Sequence, residues 1–113
     1  MSRVPKRNAE LAIDRDQGLC VRCGHLGSNV HHRMMRSQAP KDAVHRVENL
    51  AVLCGTGVTG CHGWVHANPA QSYKNGWLVP SWSSPLEEPM TYADGARYYL
   101  TGRGTRIKEI TNG

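Results

Sequence analysis

Four cysteines in two pairs, Cys20-x-x-Cys23 and Cys54 with Cys61, are the main constraint on a 113-residue chain that contains no phenylalanine. That length suits one domain, and 39% apolar residues make only a small core, so the fold needs a staple. A structural zinc site is one, because its apparent binding energy of roughly 10 kcal/mol or more appears as folding energy. Disulfides are the rival, since the cysteines of a secreted chain would pair with one another. The opening Met-Ser-Arg-Val-Pro-Lys-Arg leads into polar residues with no apolar signal region, and no run approaches membrane-spanning length. The expectation is therefore a cytoplasmic chain with reduced thiols, holding structural Zn²⁺ on Cys20, Cys23, Cys54 and Cys61.

Between and after these thiols stand His31-His32-Arg33, Asn49-Leu50 and Cys61-His62-x-x-x-His66. With zinc on the cysteines, the histidines remain for a second, working metal and a general base. His62 and His66 are i and i+4, so on a helix both rings project from one face and can grip one ion. Alone, such a pair would be ordinary surface histidines; beside Cys61 and downstream of His31-His32, the ligand reading is the better one.

The charge is +5, from fourteen Lys and Arg against nine Asp and Glu, a balance that attracts polyanions, nucleic acid first among them. The basic residues fall in three groups: Arg3, Lys6 and Arg7; Arg33, Arg36, Lys41 and Arg46; Arg97, Arg103, Arg106 and Lys108. The middle group surrounds the double histidine.

Local patterns predict the elements. Pro5 suits a helix start, and Lys6 to about Asp16 reads as a helix stopped near Gly18. Cys20 to Gly24 makes a tight knuckle. Asn29-Val-His-His-Arg begins a strand, 34–46 is a polar loop, and Leu50 to Cys54 is a short apolar strand. Cys61 to about Ala70 is a helix with Pro69 late in it or just beyond. Trp77-Leu-Val-Pro and Met90 to Leu100 read as strands, the latter turning at Asp94-Gly95. The last ten residues, rich in Gly, Thr and charge, are expected to fray.

Gly55-Thr-Gly-Val-Thr-Gly60 matches the glycine pattern of dinucleotide-binding loops. That reading fails, because the segment lies between two cysteines that must fold back on each other and the chain has no room for a doubly wound sheet; the glycines suit a tight metal loop. Trp64, Val65, Trp77, Trp82, Tyr92, Tyr98 and Tyr99 are read as packing residues, although an exposed aromatic among basic residues could stack on DNA.

The order Cys-x-x-Cys, His-His, Asn-Leu-x-x-Leu-Cys, Cys-His-x-x-x-His resembles the HNH endonuclease family with its ββα-metal fold, and Cys-His-Gly-Trp-Val-His-Ala-Asn-Pro looks like the small phage-encoded members. The likeness covers residues 6 to 80. It implies a single α+β domain over 1–113, with a ββα-metal core at about 6–80, a zinc knuckle, an N-terminal helix and a C-terminal β extension at about 81–113. It also implies divalent-metal-dependent hydrolysis of DNA phosphodiesters by an endonuclease or nickase in the cytoplasm of a bacterial host. Carried over by position, His32 is the general base, Asn49 the loop-organising residue of the catalytic apparatus, and His31, His62 and His66 the ligands of the catalytic metal. Arg33 and Arg36 are expected on DNA. Six residues separate Cys54 from Cys61 where many members have two, and position 31 is His where many have Asp. The second departure leaves Mn²⁺, Co²⁺, Ni²⁺ and Mg²⁺ open as the catalytic ion, since imidazole favours softer ions and carboxylate Mg²⁺. Two other classes stay open: a non-catalytic zinc-stapled nucleic-acid-binding module, and an adaptor contacting phage terminase or other packaging proteins through the C-terminal third.

Overall fold

The structure, a computed structural model, describes residues 3–110. Helix α1 (Lys6–Asp16) leads into strand β1 (Asn29–His32), a 3-10 turn at Val47–Asn49 and strand β2 (Leu50–Leu53). Helices α2 (Gly60–Ala67) and α3 (Pro69–Lys74) follow, then strands β3 (Met90–Thr91), β4 (Arg97–Leu100) and β5 (Arg106–Lys108). The architecture is α+β with two small antiparallel sheets, β1-β2 and β3-β4-β5. Among the described residues, no helix is long and apolar enough to cross a membrane.

α1 ends where Gln17 turns left-handed (φ 60°) and the Gly18 N–H donates back to the Ile13 carbonyl at 2.9 Å. Its buried face carries charge: the Arg15 and Asp16 side chains are 1% and 0% exposed. The Arg15 Nε donates to Asp16 Oδ1 at 2.8 Å and Nη1 to the Val47 carbonyl at 3.0 Å. Asp16 also accepts from the Val52 N–H at 3.0 Å and from the Tyr92 hydroxyl. One carboxylate thus joins α1, β2 and the C-terminal sheet. A buried ion pair is hard to break from one side, because the remaining charge is left without a partner. Asp16→Asn is expected to lower stability by about 3–5 kcal/mol; urea unfolding of the zinc-loaded protein checks this, and a loss under about 1 kcal/mol would mean that the pair carries little of the packing.

In the β1-β2 ladder His31 faces Ala51 and His32 faces Leu50. β2 is buried throughout and packs with Val65, Trp77, Leu78 and Met90 into the main core. A second cluster, Ala12, Val47 and Leu50, fixes α1 on the other side.

Four local expectations need correction. The helix after Cys61 stops at Ala67, and a separate turn of helix starts at Pro69 with its proline in the first position, where the missing N–H costs nothing. Trp77–Pro80 is not a strand: the Trp77 and Leu78 N–H groups both donate to the Ser72 carbonyl, at 3.0 and 3.1 Å, and Val79 to that of Arg33 at 2.9 Å. The C-terminal segment does not fray over its whole length, because Arg106–Lys108 pairs with β4; residues 111–113 lie outside those described. Trp82 does not pack, being 87% exposed.

Candidate metal centre

The knuckle at Cys20–Gly24 is closed by the Gly24 N–H donating to the Cys20 carbonyl at 2.8 Å, which turns Cys20 and Cys23 toward each other. Cys54 follows β2, and Cys61 lies in the first turn of α2. The intervening loop folds flat on itself: a Cβ on Gly55 (φ 83°) would lie 2.2 Å from the Thr59 carbonyl oxygen, and one on Gly60 (φ 62°) 2.7 Å from the Gly55 Cα. Only glycine fits at both positions, so the glycine pattern belongs to closure of this loop.

The four Sγ atoms all lie within 4.8 Å of one another, Cys23 and Cys54 at 3.7 Å. Tetrahedral zinc with Zn–S bonds of about 2.3 Å needs sulfurs about 3.8 Å apart. Burial pushes the Cys61 thiol up to about 12 and the Cys23 thiol up as well, while two hydrogen bonds favour thiolates. The Cys61 N–H donates to Cys54 Sγ at 3.4 Å and holds that thiol below its usual range, and Arg22 Nη1 donates to Cys61 Sγ at 3.4 Å. The Arg22 guanidinium is itself held 3.7 Å above the Trp64 ring, which meets Trp77 edge-on. A four-cysteine cluster of this geometry can hold a structural zinc ion.

A second cluster joins β1 to α2. One nitrogen from each of His31, His62 and His66 lies within 4.8 Å of the others, and the ring centroids form a near-equilateral triangle of 5.0, 5.3 and 5.1 Å. Two of the rings are fixed from behind. His31 Nε2 lies 2.7 Å from the Trp77 carbonyl, which can only accept, so Nε2 carries the proton and Nδ1 keeps its lone pair. His62 Nδ1 donates to Asn29 Oδ1 at 3.0 Å, leaving Nε2 free. Such supporting hydrogen bonds orient metal-binding imidazoles. Burial, opposed by the Trp77 carbonyl, pushes His31 down to about 3, and burial with the neighbouring His66 lowers His62. Both rings are then neutral at neutral pH, the form that binds metal. Three imidazole donors fit a divalent transition ion.

The triad opens on a cleft of about 370 Å³ that His32 and Arg36 also line. His32 is half-buried, and its Nε2 lies 3.0 Å from His45 Nδ1. Burial first, then His45 and Arg36, lower His32 to about 4, so it too is uncharged near pH 7. His45 carries no sequence signal of its own. It sits in the 34–46 loop, and no spacing rule ties it to His32.

Asn49 is 1% exposed and closes that loop. Its Oδ1 accepts from the Met34 N–H at 2.6 Å, its Nδ2 donates to the Met34 and Val44 carbonyls at 3.2 and 3.0 Å, and its own carbonyl accepts from the Arg33 N–H at 2.8 Å. The side chain therefore holds the residues flanking His32 and His45 without touching the cleft.

Arg33 is a correction. It was expected on DNA, yet it is 0% exposed, its guanidinium donating to the Gly76, Glu48, Pro85 and Glu88 carbonyls at 2.8, 3.0, 2.9 and 2.6 Å. Burial, with Arg15 nearby, pulls it down to about 9. It pins the segment before β3 to the core and cannot reach a phosphate. Arg36 is exposed at the mouth of the cleft.

Comparison of the chain with protein-family models, with curated proteins and with solved structures returned no match.

Proposed function

We propose that the chain is a divalent-metal-dependent DNA endonuclease or nickase of the HNH kind, with β1, β2 and α2 as its ββα-metal core and the cysteines as its structural zinc site. The observation that carries this reading is the meeting of His31, His62 and His66, two of them with fixed tautomers, on one cleft beside His32. A module that only binds nucleic acid would need the four cysteines and the net charge of +5, but would have no use for three converging imidazoles.

A divalent ion held by these imidazoles would supply charge stabilisation at a phosphate oxygen and at the departing oxygen. The protein's own part is proton transfer and positioning. His32 is neutral and faces the cleft, so it can take the proton of an attacking water, a role typically worth about 10²- to 10⁴-fold. His45, 3.0 Å from His32 Nε2, allows one ring to donate while the other accepts, so a proton arriving on His32 has a second basic nitrogen beside it. Asn49 holds the loop that follows β1 and carries His45 back to His32. Arg36, exposed on the rim of the cleft, is placed to contact a phosphate. Phage DNA processing or packaging, in the cytoplasm of a bacterial host, is the setting in which the small members of this kind would act.

Metal choice tests the reading. Imidazole donors bind later transition ions more tightly than Mg²⁺, so Mn²⁺, Co²⁺ or Ni²⁺ should support plasmid nicking at lower concentration than Mg²⁺, and His31→Asp should move the preference toward Mg²⁺. A wild-type protein that works at the lowest concentration in Mg²⁺ would remove His31 from the metal's donor set.

A further inference from the structure

The three basic groups of the sequence send one arginine each to a single place. Arg7 from the first turn of α1, Arg46 just before the 3-10 turn and Arg103 from the turn between β4 and β5 line a cleft of about 600 Å³. All three are exposed, and among the described residues none forms an ion pair. The single acidic side chain in the lining, Glu48, is only 5% exposed. This cleft shares no lining residue with the imidazole cleft, but the 34–49 segment serves both, with Met35 and Arg36 on one and Arg46 and Glu48 on the other.

The C-terminal sheet is built to deliver Arg103. Its turn is closed by the Thr101 N–H donating to the Thr105 carbonyl at 3.0 Å, by the two threonine hydroxyls at 2.7 Å, and by the Arg103 N–H donating to Thr101 Oγ1 at 3.3 Å. Gly104 (φ 79°) lies against α1, where a Cβ would sit 3.2 Å from that of Leu11, another residue of the lining. A tip held this firmly against a helix, with its guanidinium turned to solvent and unpaired, is arranged for an external anion. Because its three cations come from separate segments, the cleft suits a chain of phosphates better than a single ion.

We infer that the Arg7-Arg46-Arg103 cleft is a second phosphodiester-binding site that seats the backbone of duplex DNA apart from the imidazole cluster, and that presenting Arg103 to it is a role of the C-terminal sheet. The identity of the polyanion rests on the nuclease reading; the site itself does not.

The test is the salt dependence of binding of a short labelled duplex to the full zinc-loaded chain, followed by fluorescence anisotropy without added divalent ion. Each phosphate neutralised contributes about 0.9 to the slope of log K against log salt. The triple variant Arg7→Gln, Arg46→Gln, Arg103→Gln, with unchanged zinc content and circular dichroism, should lower that slope by about 2 to 3 and weaken binding roughly 10-fold or more near physiological salt. Lys74→Gln, which removes one exposed charge outside the cleft, should leave the slope nearly unchanged. A triple variant with the wild-type slope, or a Lys74→Gln effect as large as that of Arg103→Gln alone, would overturn the inference. Plasmid nicking by the same preparations separates it from the nuclease reading: a lost slope without wild-type nicking leaves the cleft standing and removes the enzyme, whereas nicking with an unmoved slope does the reverse.

Discussion

Replacing Cys23 by serine should unfold the domain, not merely weaken it. The cysteine knuckle, the start of α2 and the end of β2 meet at the sulfurs: the loop between Cys54 and Cys61 is glycine-rich, and Cys20 and Cys61 belong to the same core as Val65 and Trp77, so loss of the metal also loosens that core. A structural zinc contributes roughly 10 kcal/mol or more, comparable to or larger than the whole net stability of a small domain. With one thiolate replaced by a hydroxyl, most of that is lost, and three thiols, those of Cys20 and Cys61 buried, are left with no cation to balance their ionised forms. Strong chelators should have the same effect on the wild type. Metal analysis should find zinc at one equivalent on these sulfurs, and circular dichroism should show collapse of the variant; a folded Cys23→Ser protein, or two disulfides found by mass spectrometry, would contradict the assignment.

What could be read from the chain, and what could not, divides by the range of the interactions. α1 was legible over its full length because start, stop and helical residues are all local. β1, β2 and the turn at Asp94-Gly95 follow from short patterns of the same kind. The i,i+4 placement of His62 and His66 follows from helix geometry, and the thiol pairs from their spacing. The misses depend on partners far away in sequence. Arg33 looks like any arginine in a basic stretch until carbonyls from Gly76, Pro85 and Glu88 arrive around it. The Asp16 hub needs Tyr92, at a separation of 76 residues. His45 becomes interesting only when the 34–46 loop folds back on β1, a closure that Asn49 sets through backbone groups at Met34 and Val44. β5 was hidden by its turn-forming composition, although that composition also makes the tip that carries Arg103.

His32→Ala should abolish most cleavage while leaving zinc content and fold nearly unchanged. The half-buried ring is hydrogen-bonded to His45 and belongs to neither metal-binding cluster, so its loss removes a proton acceptor and no ligand. Without it the attacking water must lose its proton to bulk solvent, and the rate should fall by about 10²- to 10⁴-fold. A role confined to packing would instead appear as a drop in thermal stability with the rate per folded molecule preserved. The most direct measurement is nicking of supercoiled plasmid across a series of divalent ions, wild type beside His32→Ala at matched zinc content: the wild type should nick in an ion-dependent way and the variant should lose nearly all of that activity, whereas a variant that cuts at the wild-type rate, or a wild type that no ion activates, would rule out a His32-based metal nuclease.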